Sequence, residues 1–119
     1  MSLYEFCRGH WGVVIFATQR NGSHPAAEFF FALPRGDQTR LGAIFKRFAD
    51  FGQIHNREKF KKITDQLFEF KSGPVRMFCF IQARMVVLTD GCIKKRDRLN
   101  QADISRSERI RTEHLEIHG

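Results

Sequence analysis

The chain has 119 residues, which is enough for a single domain with one hydrophobic core, and its 13 phenylalanines can fill that core. No apolar run approaches the length of a membrane span, no signal peptide opens the chain, and the three cysteines are odd in number, so we expect a soluble cytoplasmic protein without a disulfide framework. The formal net charge of +7 favours an anionic partner, with nucleic acid ahead of a membrane surface.

The first part of the chain divides into a leader and a strand. Residues 1–10 have no clear hydrophobic period, so we expect a flexible leader ahead of a single domain over residues 11–119. Cys7 and His10 have the spacing of half a zinc site, but a second such pair is missing, so we predict no metal. The apolar run over residues 11–18 predicts the first strand.

Two helices are predicted to follow. Pro25 opens a short helix over residues 26–33, because proline is well tolerated in a first turn, and Pro34 breaks it. We expect Asp37 to cap a second helix and Gly52 to end it. Apolar residues recur along this helix at the three-four spacing of one face: Leu41, Ile44, Phe45, Phe48 and Phe51.

A meander of three strands is predicted over residues 67–93. Residues 67–71 alternate apolar with polar, residues 72–74 have turn chemistry, and residues 75–81 are rich in β-branched and aromatic side chains. The continuous apolar run that begins at Met85 is typical of a central strand buried on both faces. This strand should run out through residues 89–93, with Asp90 capping a turn before Gly91.

The last helix is predicted to start at a cap on Asn100 or Asp103 and to run to about Ile117. Its apolar stripe is thin, so we expect the helix either to be mobile or to pack against another chain, which leaves a homodimer open. Its mixture of arginine and glutamate favours contact with solvent rather than RNA. The predicted fold is therefore α+β, a small, mostly antiparallel sheet with two N-terminal helices packed on it and a C-terminal helix.

Basic residues concentrate in two places. The first is the connection over residues 53–64, and the second is the exit of the last strand over residues 94–98. Binding residues are often carried on loops held by a rigid scaffold, so this clustering favours nucleic acid, and a merely solubilising surface is the alternative.

The meander and its flanks carry a resemblance to a known family. The motifs are Leu67-Phe68-Glu69-Phe70, Gly73, Val75-Arg76, Val86-Val87-Leu88, Gly91 and Lys94-Lys95, with helices before and after them. In order and spacing this pattern resembles the RelE/ParE toxin superfamily over roughly residues 11–118, and it is most similar to the HigB-like, phage-derived branch. The resemblance also implies that the two basic clusters converge at one end of the sheet.

The resemblance implies the toxin component of a type II toxin–antitoxin system. Such a toxin is a ribosome-dependent mRNA endonuclease, or mRNA interferase, which inhibits translation without a metal or cofactor. Its partners would be the ribosome, mRNA and a cognate antitoxin, plausibly a helix-turn-helix protein. Two alternatives stay open: a ParE-like toxin that inhibits gyrase without nuclease activity, and an inactive phage-derived RNA-binding or interaction protein. The first alternative gains weight because many ribosome-dependent members carry a tyrosine or histidine near the final strand or last helix, whereas the one tyrosine here is Tyr4 and residues 99–103 contain neither.

Cleaving RNA without a metal requires a proton acceptor, cations that stabilise the phosphorane, and a proton donor. The resemblance implies that Arg76 holds the phosphate, although a cross-strand pair with Glu69 is an equal interpretation. His55 is the histidine nearest the basic stretches and is the candidate for proton transfer. Lys94 and Lys95 complete the candidate catalytic set by sharing the phosphate charge. The predicted RNA-binding residues are Lys59, Lys61, Lys62, Lys71, Arg96 and Arg98.

Overall fold

A six-stranded mixed sheet organises the protein, in a computed structural model that describes residues 2–95 and 99–119. The strands and helices, in chain order, are β1 Tyr4–Arg8, β2 Val13–Phe16, α1 Pro25–Phe31, α2 Arg35–Phe51, β3 Phe60–Lys62, β4 Phe68–Ser72, β5 Val75–Gln82, β6 Met85–Ile93 and α3 Gln101–His118. The order across the sheet is β1-β2-β6-β5-β4-β3. Neighbouring strands are antiparallel, except that β2 and β6 are parallel.

The predicted meander is present as β4, β5 and β6. Val86, Val87 and Leu88 are fully buried, as expected for a central strand covered on both faces. β6 is hydrogen-bonded to β2 on one side and to β5 on the other. It continues to Ile93, so the strand runs directly into the second basic cluster. Arg96 and Arg98 of that cluster lie outside the described residues.

The N-terminal part of the chain differs from its prediction. Residues 1–10, expected to be a leader, contain the edge strand β1, whereas the two helices follow β2 in the predicted order. β1 escaped recognition because its pairing shifts between Glu5 and Cys7, and such a bulge breaks the alternation by which a strand is recognised. The adjacent strand is also shorter than predicted and covers only Val13–Phe16.

The two predicted helices are present, but α2 starts earlier than predicted and one residue of its apolar stripe is exposed. α2 begins two residues before Asp37, since the carbonyl of Pro34 accepts the N–H of Asp37 at 3.0 Å. Gly52 ends the helix in the left-handed conformation, with φ of 75°, as predicted. Phe51 is the exception in the apolar stripe, because it is 64% exposed while the stripe's other four residues are buried.

Helices α1 and α2 cover one face of the sheet with an aromatic core. Phe70 of β4 lies at its centre, and its ring centroid is 4.9 Å from that of Phe45, 4.8 Å from that of Phe60 and 5.8 Å from that of Phe48. Aromatic pairs at these separations add to the burial of apolar area. This face is therefore closed and largely apolar.

Helix α3 packs on the opposite face of the same sheet, against β6 and β5. Ile110 is its one fully buried aliphatic residue among the described ones, and much of its attachment is polar. The backbone N–H of Thr18 donates to His114 Nδ1 at 3.0 Å, and that of Arg20 donates to Glu113 Oε1 at 3.0 Å. The thin apolar stripe is thus supplemented by one buried and one partly buried hydrogen bond, and the helix docks on its own chain. No helix in the described ranges is long and apolar enough to cross a membrane.

Candidate nucleic-acid interface

Three cations lie on the sheet face that α3 partly covers, here called the α3 face. Lys61 of β3 is opposite Glu69 of β4, and Lys71 of β4 is opposite Arg76 of β5. Residues that pair across strands share a face, as do residues two apart along a strand. Lys61, Lys71 and Arg76 therefore surround Glu69 on one surface. Since Lys62 is next to Lys61 in β3, it lies on the opposite face.

Arg76 is held by the backbone of the β4–β5 turn. Its Nη1 donates to the carbonyl of Gly73 at 2.6 Å and to that of Val75 at 3.0 Å, while its Nε is buried and has no partner within the described part of the chain. Arg76 forms no ion pair with Glu69, because the register places Lys71 opposite Arg76 and Phe78 opposite Glu69. The predicted cross-strand pair is therefore wrong. The guanidinium is oriented by backbone carbonyls and keeps its full charge for another partner.

Glu69 is the most deeply buried charged residue of this face. It is 2% exposed, and its Oε2 has no hydrogen-bond partner among residues 2–95 and 99–119. Buried polar atoms are nearly always paired, so such an oxygen marks a water, a ligand or a chemical role. From the sequence, Glu69 was expected as part of the family motif and as a partner for Arg76. Its position beside Phe78 rather than beside Arg76 depends on strand register, which motif spacing does not reveal.

A bulge in β6 turns Asp90 toward α3. Phe78 pairs with Asp90 while Cys79 pairs with Leu88, so Thr89 is the extra residue, and bulges of this kind redirect side chains. Asp90 accepts the backbone N–H of Gly91 at 2.8 Å and a hydrogen bond from Arg106 Nε. The expected turn cap is thus wrong, because Asp90 lies inside the strand and ties it to the helix.

Arg106 links this strand to the start of α3. Besides Asp90, it contacts Asp103 Oδ1 at 2.8 Å, and the hydrogen bond to Asp90 is the main cause that raises the pKa of its guanidinium. Sequence reasoning missed Arg106, since one arginine among several in a mixed-charge helix has no distinguishing pattern.

A cavity of about 220 Å³ lies where β6 leaves the sheet and α3 begins. Two of the predicted catalytic residues, Lys94 and Lys95, line it together with Cys92, Ile93, Leu99, Asn100 and Asp103. Asn100 caps α3 by accepting the N–H of Ala102 at 2.8 Å, as predicted for one of the two candidate caps. Burial, followed by the nearby Asp103, raises the pKa of Cys92 to about 11, so this thiol is not a nucleophile near neutral pH.

His55 lies elsewhere. It lines a second cavity of about 290 Å³ with Arg47, Phe51, Gln53, Ile54 and Asn56. Among residues 2–95 and 99–119, the two cavities share no lining residue, so the structure does not bring His55 to Lys94 and Lys95. Lys59 lies next to the cations of the α3 face, because its carbonyl accepts the backbone N–H of Lys71 at 2.9 Å. Within the described residues, no three His, Cys, Asp or Glu side chains are grouped to hold a metal ion.

Comparison with known proteins identifies a family. No curated protein matches the chain. A family model described as "Phage derived protein Gp49-like (DUF891)" matches residues 28–112, which is more than two thirds of the chain and extends from α1 into α3. The match agrees with the phage-derived, RelE/HigB-like part of the resemblance. This chain belongs to the Gp49-like family of phage-derived proteins.

Proposed function

We propose that this protein is the toxin of a type II toxin–antitoxin system and acts as a ribosome-dependent mRNA endonuclease. The observation that carries the proposal is the α3 face, where Lys61, Lys71 and Arg76 surround a buried carboxylate with one oxygen that has no partner in the described part of the chain. Membership of a phage-derived, RelE/HigB-like family supports the same function. The net charge of +7 suits an RNA substrate.

In this proposal the cations divide between binding and catalysis. Lys61 and Lys71 would contact the RNA backbone, and Arg76 would hold the scissile phosphate with its planar fork. Lys94 and Lys95, at the exit of β6, would offset the negative charge that develops on the phosphorane. Because they are preorganised by a rigid sheet, these charges require little rearrangement during the reaction.

Proton transfer is assigned to Glu69 rather than to His55. Glu69 lies on the same face as Arg76, whereas His55 lines a separate cavity. The Glu69 carboxylate would accept the proton of the ribose 2′-hydroxyl as the 2′-oxygen attacks phosphorus. The bond from phosphorus to the 5′-oxygen of the next nucleotide then breaks, leaving a 2′,3′-cyclic phosphate, and this oxygen takes a proton from a lysine ammonium at the site.

The cognate antitoxin is proposed to bind the same α3 face. An antitoxin with acidic residues would neutralise the α3 face and exclude mRNA, and a helix-turn-helix domain on it would bind the operator DNA. Electrostatic complementarity of this kind speeds association and selects partners.

Induced expression in bacteria tests the proposal. We expect growth arrest and discrete mRNA ends by primer extension for the wild type, and loss of both for Arg76→Ala and for Glu69→Gln. Arg35→Gln is the matched control, because Arg35 is an exposed cation at the start of α2 and outside both cavities. Intact mRNA in cells expressing folded wild-type protein would refute the nuclease function.

A second function is favoured by what surrounds Lys94 and Lys95. Among the described residues, neither a histidine nor a tyrosine lines their cavity. The pKa of Cys92, which does line it, is raised to about 11, so this thiol does not exchange protons near neutral pH. Such a surface suits binding without cleavage, as in a gyrase-directed toxin or an RNA-binding protein. Inhibition of gyrase supercoiling together with intact mRNA would select the gyrase function. Salt-sensitive RNA binding without growth arrest would select the RNA-binding protein.

A further inference from the structure

Phe51 is the most exposed large apolar side chain of the described residues, at 64%, although it belongs to the apolar stripe of α2. Phe51 is exposed because α2 ends at the next residue, Gly52. Gly52 has φ of 75°, and a Cβ there would lie 2.4 Å from the Trp11 ring, so the position at which the helix ends requires glycine. The helix therefore ends there, and Phe51 is left at the margin facing solvent.

Phe51 forms one wall of the cavity that also contains His55. The guanidinium carbon of Arg47, one turn earlier in α2, lies 5.5 Å from the centroid of the Phe51 ring. Gln53, Ile54, His55 and Asn56 complete the lining, and none of the described residues that form it carries a carboxylate. At about 290 Å³ the cavity is just below the size range of sites for drug-sized molecules, which suits one planar group.

We propose that this cavity binds a single unpaired base of an RNA strand, stacked on the face of the exposed Phe51 ring that the Arg47 guanidinium does not cover. Unpaired bases are recognised by stacking on aromatic rings and on arginine planes, and their edges and phosphates bond to polar side chains such as those of His55 and Asn56. The inference deepens the proposed function and rests on it for the identity of the strand. It also gives His55 a role in holding RNA.

The loop after the cavity connects it to the α3 face. The carbonyl of Asn56 accepts the N–H of Lys59 and that of Phe60, each at 3.0 Å, so the loop has a fixed geometry. Phe60 packs on Phe48 of α2, with ring centroids 5.0 Å apart, while Lys61, the next residue, lies on the α3 face. A strand bound at Lys61 would thus pass around the short edge strand β3 to reach Phe51. Lysines on both sides of that edge favour a polyanion over a protein segment as the occupant.

Binding of a fluorescent single-stranded RNA oligonucleotide with 2′-O-methyl riboses tests the site without cleavage or ribosomes. Stacking contributes about 1–3 kcal/mol per base, so we expect Phe51→Ala to weaken affinity by about 5- to 150-fold. Phe51→Trp should keep the wild-type affinity, because it preserves the stacking surface. The slope of log affinity against log salt should stay unchanged in Phe51→Ala, since no charge is removed.

Phe31→Ala is the matched control. Phe31 is also an exposed phenylalanine, at 53%, but it belongs to α1 and is outside the cavity. Equal losses in Phe31→Ala and Phe51→Ala would mean nonspecific apolar contact and would overturn the base site. Wild-type affinity in Phe51→Ala would overturn it too, as would an equal loss on double-stranded RNA, where bases are not free to stack.

The outcome is separable from that of the proposed function. If the wild type arrests growth and cleaves mRNA while Phe51→Ala binds RNA normally, the base site is refuted and the nuclease stands. If Phe51→Ala loses RNA affinity and the wild type neither arrests growth nor cleaves mRNA, the base site stands and the nuclease is refuted. Failure of the wild type to bind single-stranded RNA refutes the base site.

Discussion

The two faces of the sheet are built from alternate residues of the same strands, yet they differ in composition and in what holds them closed. On β5, Val75, Met77 and Cys79 point into the aromatic core beneath α1 and α2, whereas Arg76 and Phe78 point to the α3 face. The first face is sealed by apolar contact. The second combines a small apolar cluster around Ile110 with cations, a buried carboxylate and hydrogen bonds to a helix. Successive residues of one strand thus serve different purposes, because one packs into the apolar core and the next adds charge to the opposite face.

This separation suits a binding protein. A rigid apolar side can fix the strand register, and the register in turn fixes the positions of Lys61, Lys71 and Arg76 relative to one another. A one-residue slip would send those three charges into the aromatic core. The closed face therefore specifies the geometry of the charged one, and disturbing each face should have a different consequence.

The largest effect is expected from the closed face. Phe70→Ala would leave a cavity among three aromatic rings, and such truncations cost about 3–5 kcal/mol of unfolding free energy. Urea or thermal denaturation would measure the loss. Phe70→Leu provides the milder variant if the alanine form does not fold, and we expect it to keep the RNA affinity of the wild type. Unchanged stability in Phe70→Ala would mean that the aromatic core does not hold this face.

The apolar face could be predicted from the sequence better than the α3 face. The α2 stripe was found because the burial of Leu41 and Phe45 on one helix face leaves a periodic pattern in the sequence. The central strand of the meander was found because burial on both faces leaves a continuous apolar run around Val87. The edge strand β1 was missed where a bulge interrupts that pattern. On the α3 face, positions depend on register and on one bulge at Thr89, which local spacing does not encode. Lys61 and Lys71 were nominated by charge, whereas Arg106 and the setting of Glu69 needed the assembled sheet.

The second effect concerns pH and the polar attachment of α3. Burial, followed by the neighbouring His118 and His24, lowers the pKa of His114 to about 4. The unfolded chain therefore binds a proton at this residue near pH 6.5, and the folded chain only near pH 4. Stability should fall as the pH decreases through this window, by up to about 1.4 kcal/mol per pH unit from this group.

His114→Gln tests this pH dependence, because glutamine keeps an acceptor for the Thr18 N–H and does not titrate. Urea denaturation at a series of pH values between 4.5 and 7 should give a smaller slope of unfolding free energy for this variant than for the wild type. Parallel curves would show that His114 is protonated equally in the folded and unfolded states.

A third effect should come from the tie between β6 and α3. Asp90→Asn weakens the contact with Arg106, and hydrogen bonds to charged groups contribute about 1.5–3 kcal/mol, which partial exposure of Arg106 reduces to about 1–2 kcal/mol here. Asp103→Asn is the comparison, because it removes the other carboxylate that Arg106 contacts, within the same helix. That change should cost less than about 1 kcal/mol. Equal losses in thermal denaturation would show that Asp90 has no special part in docking the helix.

The smallest change in stability, with a clear change in binding, is expected from Lys61→Gln. Lys61 is exposed, so the unfolding free energy should stay within about 0.5 kcal/mol of the wild type. If Lys61 neutralises one phosphate, its loss should reduce the slope of log affinity against log salt by about 0.7 for single-stranded RNA. Arg35→Gln removes an equal charge from the start of α2 and should leave the slope unchanged, because a distant charge releases no counterion from the bound strand. A slope that fell equally in both variants would mean that RNA affinity depends only on net charge. The α3 face would then not be the RNA interface.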